Sequence, residues 1–218
     1  MVPKHENSQY YRKIILIGGT SHCGKTTLAK RMSVEHNIKL ISTDSLAKHP
    51  GRPWKETPSN NIPEHVKDYY SKLSTKEMMA SVLMHYEKLW PTIRDIIRLC
   101  IRENTNLIIE GSALLPKLID HTFSNQVNFI WLTDVPENLR ARIYGLSQYE
   151  EKLLEEKKMI DKFVDRTIAF DDFLTKDVKD MGLTLTSSNE IKHLESSSLP
   201  KIKNYTSLIA EDLLKKNS

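Results

Sequence analysis

Two periods of apolar residues alternate along the chain. Ile14-Ile15-Leu16-Ile17, Leu107-Ile108-Ile109 and Phe129-Ile130-Trp131-Leu132 are short unbroken apolar runs. Too short for buried helices and apolar on both faces, they have the pattern of strands covered on both sides in a parallel sheet. Ile38 to Thr43 and Gly182 to Thr186 read as two further strands. Between the runs the spacing changes to three and four: Leu28, Ala29 and Met32 follow the first strand. Met79, Val82, Leu83, Tyr86, Leu89, Trp90, Ile93, Ile96, Ile97 and Cys100 recur between Thr75 and about Glu103, and Leu153, Leu154, Ile160, Phe163, Val164 and Ile168 punctuate a charged stretch from Ser147 to about Asp180. These are amphipathic helices. Pro91 is expected to kink or divide the longest of them, since proline removes a donor and crowds the preceding turn. Pro136 sits where a helix through Arg140 and Arg142 should begin. Ser187 to Lys203 reads as a polar connection, and Tyr205 to Leu214 as a closing helix.

Strands alternating with helices predict an α/β fold: a doubly wound, three-layer arrangement with a five-stranded parallel sheet and a helical lid. The 218 residues suit one domain, with a core from about residue 13 to 215, a helical acceptor region at about 45–103 and the lid at about 140–170. Pro50, Gly51, Pro53, Pro58 and Pro63 make the start of that acceptor region irregular.

The first strand runs into Gly19-Thr20-Ser21-His22-Cys23-Gly24-Lys25-Thr26-Thr27, a complete G-x-x-x-x-G-K-T loop in the required order of strand, glycine loop and helix. Its chemistry is specific: backbone N–H groups cradle phosphates, Lys25 reaches the β- and γ-phosphates, and the Thr26 hydroxyl ligates Mg²⁺. The helix N-terminus adds a partial positive charge. A nucleoside triphosphate and Mg²⁺ are therefore the expected ligands, with Gly19 to Thr27 binding the nucleotide.

Ligands of such folds lie beyond the carboxyl ends of the strands, and two acids stand there. Asp44 ends the second strand and is a candidate base for an acceptor hydroxyl, or else caps the Ser45-Leu46-Ala47 turn. Glu110 ends the third strand and is a candidate for holding Mg²⁺, or is simply the polar end of a strand. Arg140 and Arg166 are candidates for the catalytic cations of phosphoryl transfer and Arg142 for nucleotide binding, against the alternative of a solvated helix face. Arg52 and Trp54, with Lys55, are candidates for an acceptor pocket. Arg94, Arg98 and Arg102 read as a surface stripe. His22 and Cys23 occupy tolerant loop positions, although a helix N-terminus can lower a thiol pKa.

Composition adds little. A charge of +4 with Lys and Arg interspersed among Asp and Glu demands no nucleic acid, and no apolar run has the length of a membrane span. Cys23 and Cys100 lie far apart without a paired framework. A cytosolic protein with a small-molecule acceptor is the expectation.

With the glycine loop, Ser42-Thr43-Asp44 and Ile108-Ile109-Glu110-Gly111 in this order, the chain resembles the P-loop small-molecule and nucleotide kinase superfamily over roughly Lys13 to Thr186. Within it, the chain is most similar to 2-phosphoglycerate kinase-like proteins and to the zeta-toxin and chloramphenicol phosphotransferase branch. The resemblance implies transfer of the γ-phosphoryl group of ATP to an acceptor hydroxyl, with Asp44 as base and Arg140, Arg142 and Arg166 as lid or sensor arginines. Adenylate kinases carry Asp-Gly-(aromatic)-Pro-Arg after the third strand, where this chain has Glu110-Gly111-Ser112-Ala113-Leu114. A nucleoside or nucleotide kinase, and a regulatory ATP-binding module without an acceptor site, are the alternatives.

Overall fold

A computed structural model describes residues 14–47, 51–54, 61–119, 123 and 126–193. Lys55 and the expected helix Tyr205–Leu214 lie outside the described residues, as does the end of the polar connection.

Five strands form one parallel sheet in the order β2-β3-β1-β4-β5. They are β1 (Ile14–Gly19), β2 (Lys39–Ser42), β3 (Leu107–Glu110), β4 (Val127–Thr133) and β5 (Leu185–Ser187). β1 lies in the middle, which is why its apolar run is unbroken: Ile14 and Leu16 pack on one side, Ile15 and Ile17 on the other. Every residue of β1 and β3 is buried. The expected doubly wound α/β fold is thus the observed one.

The two sides divide the helices between them. α1 (Lys25–His36) covers the Ile15 and Ile17 side through Leu28, Ala29 and Met32. α3 (Thr75–Arg102) and the second half of α5 (Leu154–Asp180) cover the other, through Ile93 and Ile97 and through Phe170, Leu174 and Val178. A third cluster stands apart from the sheet. It joins α2 (Glu64–Lys72), the first turn of α3, α4 (Pro136–Ser147) and the first half of α5 around Tyr70, Met78, Ile143, Ile160 and Phe163.

α3 opens with a capping box: the Glu77 N–H donates to Ser74 Oγ at 3.3 Å and the Ser74 N–H to Glu77 Oε2 at 2.8 Å, satisfying donors the first turn leaves over. Against expectation, Pro91 does not divide this helix. Pro91 and Glu87 are both exposed, so the carbonyl that proline leaves unpaired faces water. A second correction concerns the expected polar connection, whose first residues Ser188–His193 form a short helix, α6. No described helix is long and apolar enough to cross a membrane.

Candidate active site

The register brings the glycine loop and both acids to one edge of the sheet. Ile17 of β1 pairs with Glu110 of β3, and Glu110 with Ser42 of β2. β1 therefore enters its loop directly beside the strand ends that carry Glu110 and Asp44. Glu110 is buried, whereas Asp44 is exposed on the single 3-10 turn Thr43–Ser45. The crossing is tight at Gly111, whose N–H donates to the Ile17 carbonyl at 3.0 Å. A Cβ there would lie 1.7 Å from Thr43 Oγ1, and φ is +151°.

The loop faces two ways. Its backbone, with Lys25 and Thr26, lines a cavity of about 660 Å³ bounded also by Arg31, Arg52, Arg142 and Ile191. Gly24 caps α1 with φ 98° and no side-chain acceptor, so the first N–H groups of the helix are left open to a ligand, the arrangement that binds phosphate. Lys25 is buried and folds back across the loop, its Nζ donating to the Thr20 carbonyl at 2.5 Å. Thr26 and Thr27 are exposed at the head of the helix.

Other loop side chains turn inward. Thr20 Oγ1 donates to the Thr167 carbonyl of α5 at 2.9 Å. Gly19 is required because a Cβ would lie 2.5 Å from the Leu132 carbonyl oxygen and 2.7 Å from Cys23 Sγ, at φ +145°. Cys23 is thus the packing beneath Gly19, and burial pushes its thiol pKa up. The lowered thiol considered from the sequence is not found.

His22 has φ 67°, a conformation uncommon for a residue with a Cβ. Its ring lies 5.9 Å from that of Trp54 and 5.7 Å from that of Phe163, and both ring nitrogens are buried without a partner among the described residues. Burial, followed by the charges of Arg52, Lys25, Arg142 and Arg166, lowers its pKa to about 4. The imidazole is therefore neutral near pH 7.

The three arginines named from the sequence separate. Arg166 is buried on α5, with Nη1 donating to the Tyr70 hydroxyl at 3.1 Å and Cζ 4.7 Å from the Phe163 ring centre. It has no carboxylate partner among the described residues, where an unpaired buried cation is unusual. Arg142 is half-buried at the cavity wall, committed on one side to Asp134 at 2.6 Å and donating on the other to the His22 carbonyl at 2.8 Å. Arg140 is exposed and hydrogen-bonded to Tyr144 at 3.3 Å. It does not line the cavity, so the structure does not bring it into the site with Arg142. Two positions apart on a helix, the two side chains point nearly opposite ways. Of the arginine stripe on α3, Arg98 and Arg102 are exposed and Arg94 is half-buried.

Several participants escape motif reading. Asp134 holds Arg142 while accepting from the Val135 N–H at 2.8 Å, from Asn138 at 2.7 Å and, by a short bond, from Ser188. Burial works against its charge, but these bonds and Arg142 outweigh it and hold the carboxyl below its usual value. Burial pushes Tyr70 and Tyr86 up to about 12 each, so both hydroxyls keep their protons. The Asp44 charge adds to the rise at Tyr86, which shares a hydrogen bond with Ser112. Asp171, buried on α5, accepts from Thr133 Oγ1 at 2.6 Å. Its signal in the sequence is a carboxylate one position after Phe170 on an inward-facing stripe.

The parallel sheet and the loop at its centre define a P-loop kinase-like protein. The chain is 24% identical over 186 residues to 2-phosphoglycerate kinase from Methanopyrus kandleri, a match covering 82% of this chain and 57% of that protein. It is 23% identical over 217 residues to 2-phosphoglycerate kinase from Pyrococcus horikoshii, covering 87% and 64%. The chain therefore spans about half to two thirds of the length of these curated relatives. No family model matches it. Among solved structures, deoxyadenosine kinase from M. mycoides with bound dATP is 19% identical, with 94% of this chain and 100% of that chain covered and a TM-score of 0.39.

Proposed function

We propose that this chain is an ATP- and Mg²⁺-dependent phosphotransferase that moves the γ-phosphoryl group of ATP to a hydroxyl of a small anionic metabolite. The observation that supports it most is the meeting of the glycine loop with Asp44 and Glu110 at adjoining strand ends. A binding module needs the loop alone, whereas transfer also needs an oriented acceptor and a group to receive its proton. The similarity to 2-phosphoglycerate kinases supports the same reading.

Each residue then has a task. The loop N–H groups and Lys25 bind the β- and γ-phosphates, and Arg142 keeps the loop in shape through the His22 carbonyl. Thr26 and Glu110 supply hard oxygen donors. Among the described residues no three His, Cys, Asp or Glu side chains cluster around a point, so this set fits a cation held largely by phosphate and water oxygens, as Mg²⁺ is. The ion, when bound, neutralises charge on the triphosphate. Asp44 accepts the proton of the acceptor hydroxyl as its oxygen bonds to the γ-phosphorus, and the bond from that phosphorus to the bridging oxygen breaks to release ADP. Arg166, a buried cation without a carboxylate partner among the described residues, receives an anionic group of the acceptor or the transferring phosphoryl.

The aromatic walls of Trp54, Phe163 and Tyr70 favour one second reading, a nucleoside or nucleotide kinase whose acceptor base would stack there. A coupled assay of ADP release over a panel of 2-phosphoglycerate, other phosphorylated and carboxylated alcohols, and nucleosides separates the two. Asp44→Asn is expected to lower acceptor-dependent kcat at least about 100-fold with ATP binding retained. An Asp44→Asn variant turning over at the wild-type rate refutes the role of Asp44.

A further inference from the structure

The phosphate loop carries a side chain that its motif does not require. We propose that His22 is a specificity-determining residue that hydrogen-bonds a hydroxyl group of the phosphoryl acceptor; this rests on the kinase reading above and adds to it a contact with the substrate.

Two observations on the ring converge. His22 lines the loop cavity together with Arg52, and its ring packs on Trp54 and Phe163, the same Phe163 that Tyr70 and Arg166 contact. Both of its nitrogens are buried and find no partner among the described residues. Leaving a buried donor or acceptor unsatisfied costs about 1–3 kcal/mol, so two on one ring at a cavity edge call for a ligand.

The charges around the ring select the kind of ligand group. Arg52, Lys25, Arg142 and Arg166 all act on it. The imidazole is held neutral, with one N–H and one lone pair. An oxyanion needs donors only, and the four cations already offer them. A hydroxyl both donates and accepts, as a neutral imidazole does. A site built to hydrogen-bond a substrate hydroxyl also rejects the analogue that lacks it, because the protein group is then left unpaired. His22 is accordingly the group that tells an anionic alcohol from an anion without a hydroxyl.

The test compares 2-phosphoglycerate with 2-phospholactate, which keeps the phosphate and carboxylate and lacks the hydroxyl. Affinities are measured by calorimetry on the full chain saturated with Mg²⁺ and a non-hydrolysable ATP analogue. Wild-type protein should prefer 2-phosphoglycerate at least tenfold. His22→Phe, which keeps the aromatic contacts, should reduce that preference below threefold when both affinities are measured at saturating ATP analogue. His22→Gln, with a donor and an acceptor, should restore part of it. Wild type binding both probes equally, or His22→Phe keeping the full preference, overturns the proposal and leaves the kinase reading standing. Wild type that binds neither probe overturns the proposal, and the absence of ADP release with every acceptor of the panel overturns the kinase reading itself.

Discussion

Asp171 gives the site a pH-dependent stability whose size follows from its surroundings. Its carboxyl is 6% exposed; Oδ2 accepts from Thr133 Oγ1 at 2.6 Å, and Oδ1 is buried without a partner among the described residues. Burial raises its pKa from 3.8 to about 6, with Asp172 and Asp134 pushing the same way and Thr133 pulling back. A folded pKa above the unfolded one means that the native state holds the proton more tightly. The contribution is therefore fully present below pH 3.8 and is lost as pH rises through about 6. A shift of about two units, at about 1.4 kcal/mol each, makes the whole effect about 3 kcal/mol, of which about 2 kcal/mol falls between pH 4.5 and 7.5. Asp171→Asn removes the titration. Urea unfolding of both proteins at pH 4.5, 5.5, 6.5 and 7.5 should show the variant gaining about 2 kcal/mol on wild type across the series. A difference that stays constant within about 0.5 kcal/mol would refute the reasoning, because it would mean that Asp171 ionises in the fold as easily as in the open chain.

Two further substitutions test other parts of the site. Gly111→Ala places a methyl group 1.7 Å from Thr43 Oγ1 at φ +151°; the expected loss is about 3 kcal/mol or more, a fall in Tm of roughly 6–12 °C, and scanning calorimetry finding Tm within 2 °C of wild type would contradict it. Arg166→Lys keeps the charge but loses the planar stacking on Phe163 and the fixed fork towards Tyr70; kcat/KM for the acceptor should fall about 30-fold, or about 2 kcal/mol, with KM for ATP within threefold, and an unchanged acceptor kcat/KM would remove Arg166 from the acceptor side.

What the sequence disclosed follows from the range of the interactions involved. β1, β3 and β4 announce themselves because strands buried on both faces must be apolar at every position, and α3 because its long stripe repeats over 28 residues. Glu110 and Asp44 were placed correctly at strand ends, since the end of a strand is a local property. The arginines were not separable, because their destinations depend on how α4 and α5 pack. Arg142 reaches the His22 carbonyl, 120 positions away in sequence, whereas Arg140 meets Tyr144 four residues on. Tyr70, Asp134 and Ser188 act through partners that no spacing rule connects to them. α2 is obscured in the sequence by the prolines before it; Pro63 is the residue preceding the helix.

The loop positions that a motif leaves unspecified are fixed by their neighbours in this fold. Thr20 ties the loop to the middle of α5, Cys23 fills the space that forces a glycine at position 19, and His22 turns towards Trp54 and Phe163. α5 is the common element, with Phe163, Arg166, Thr167 and Asp171 recurring at helical spacing on the side that faces the loop. Of these, Phe163 meets the His22 ring, Arg166 meets Tyr70, Thr167 meets the loop, and Asp171 meets the end of β4. On the proposed kinase reading, substitutions at Thr20 or Cys23 are therefore expected to change the acceptor KM as well as nucleotide binding, through the contacts these side chains make with α5 and beneath Gly19.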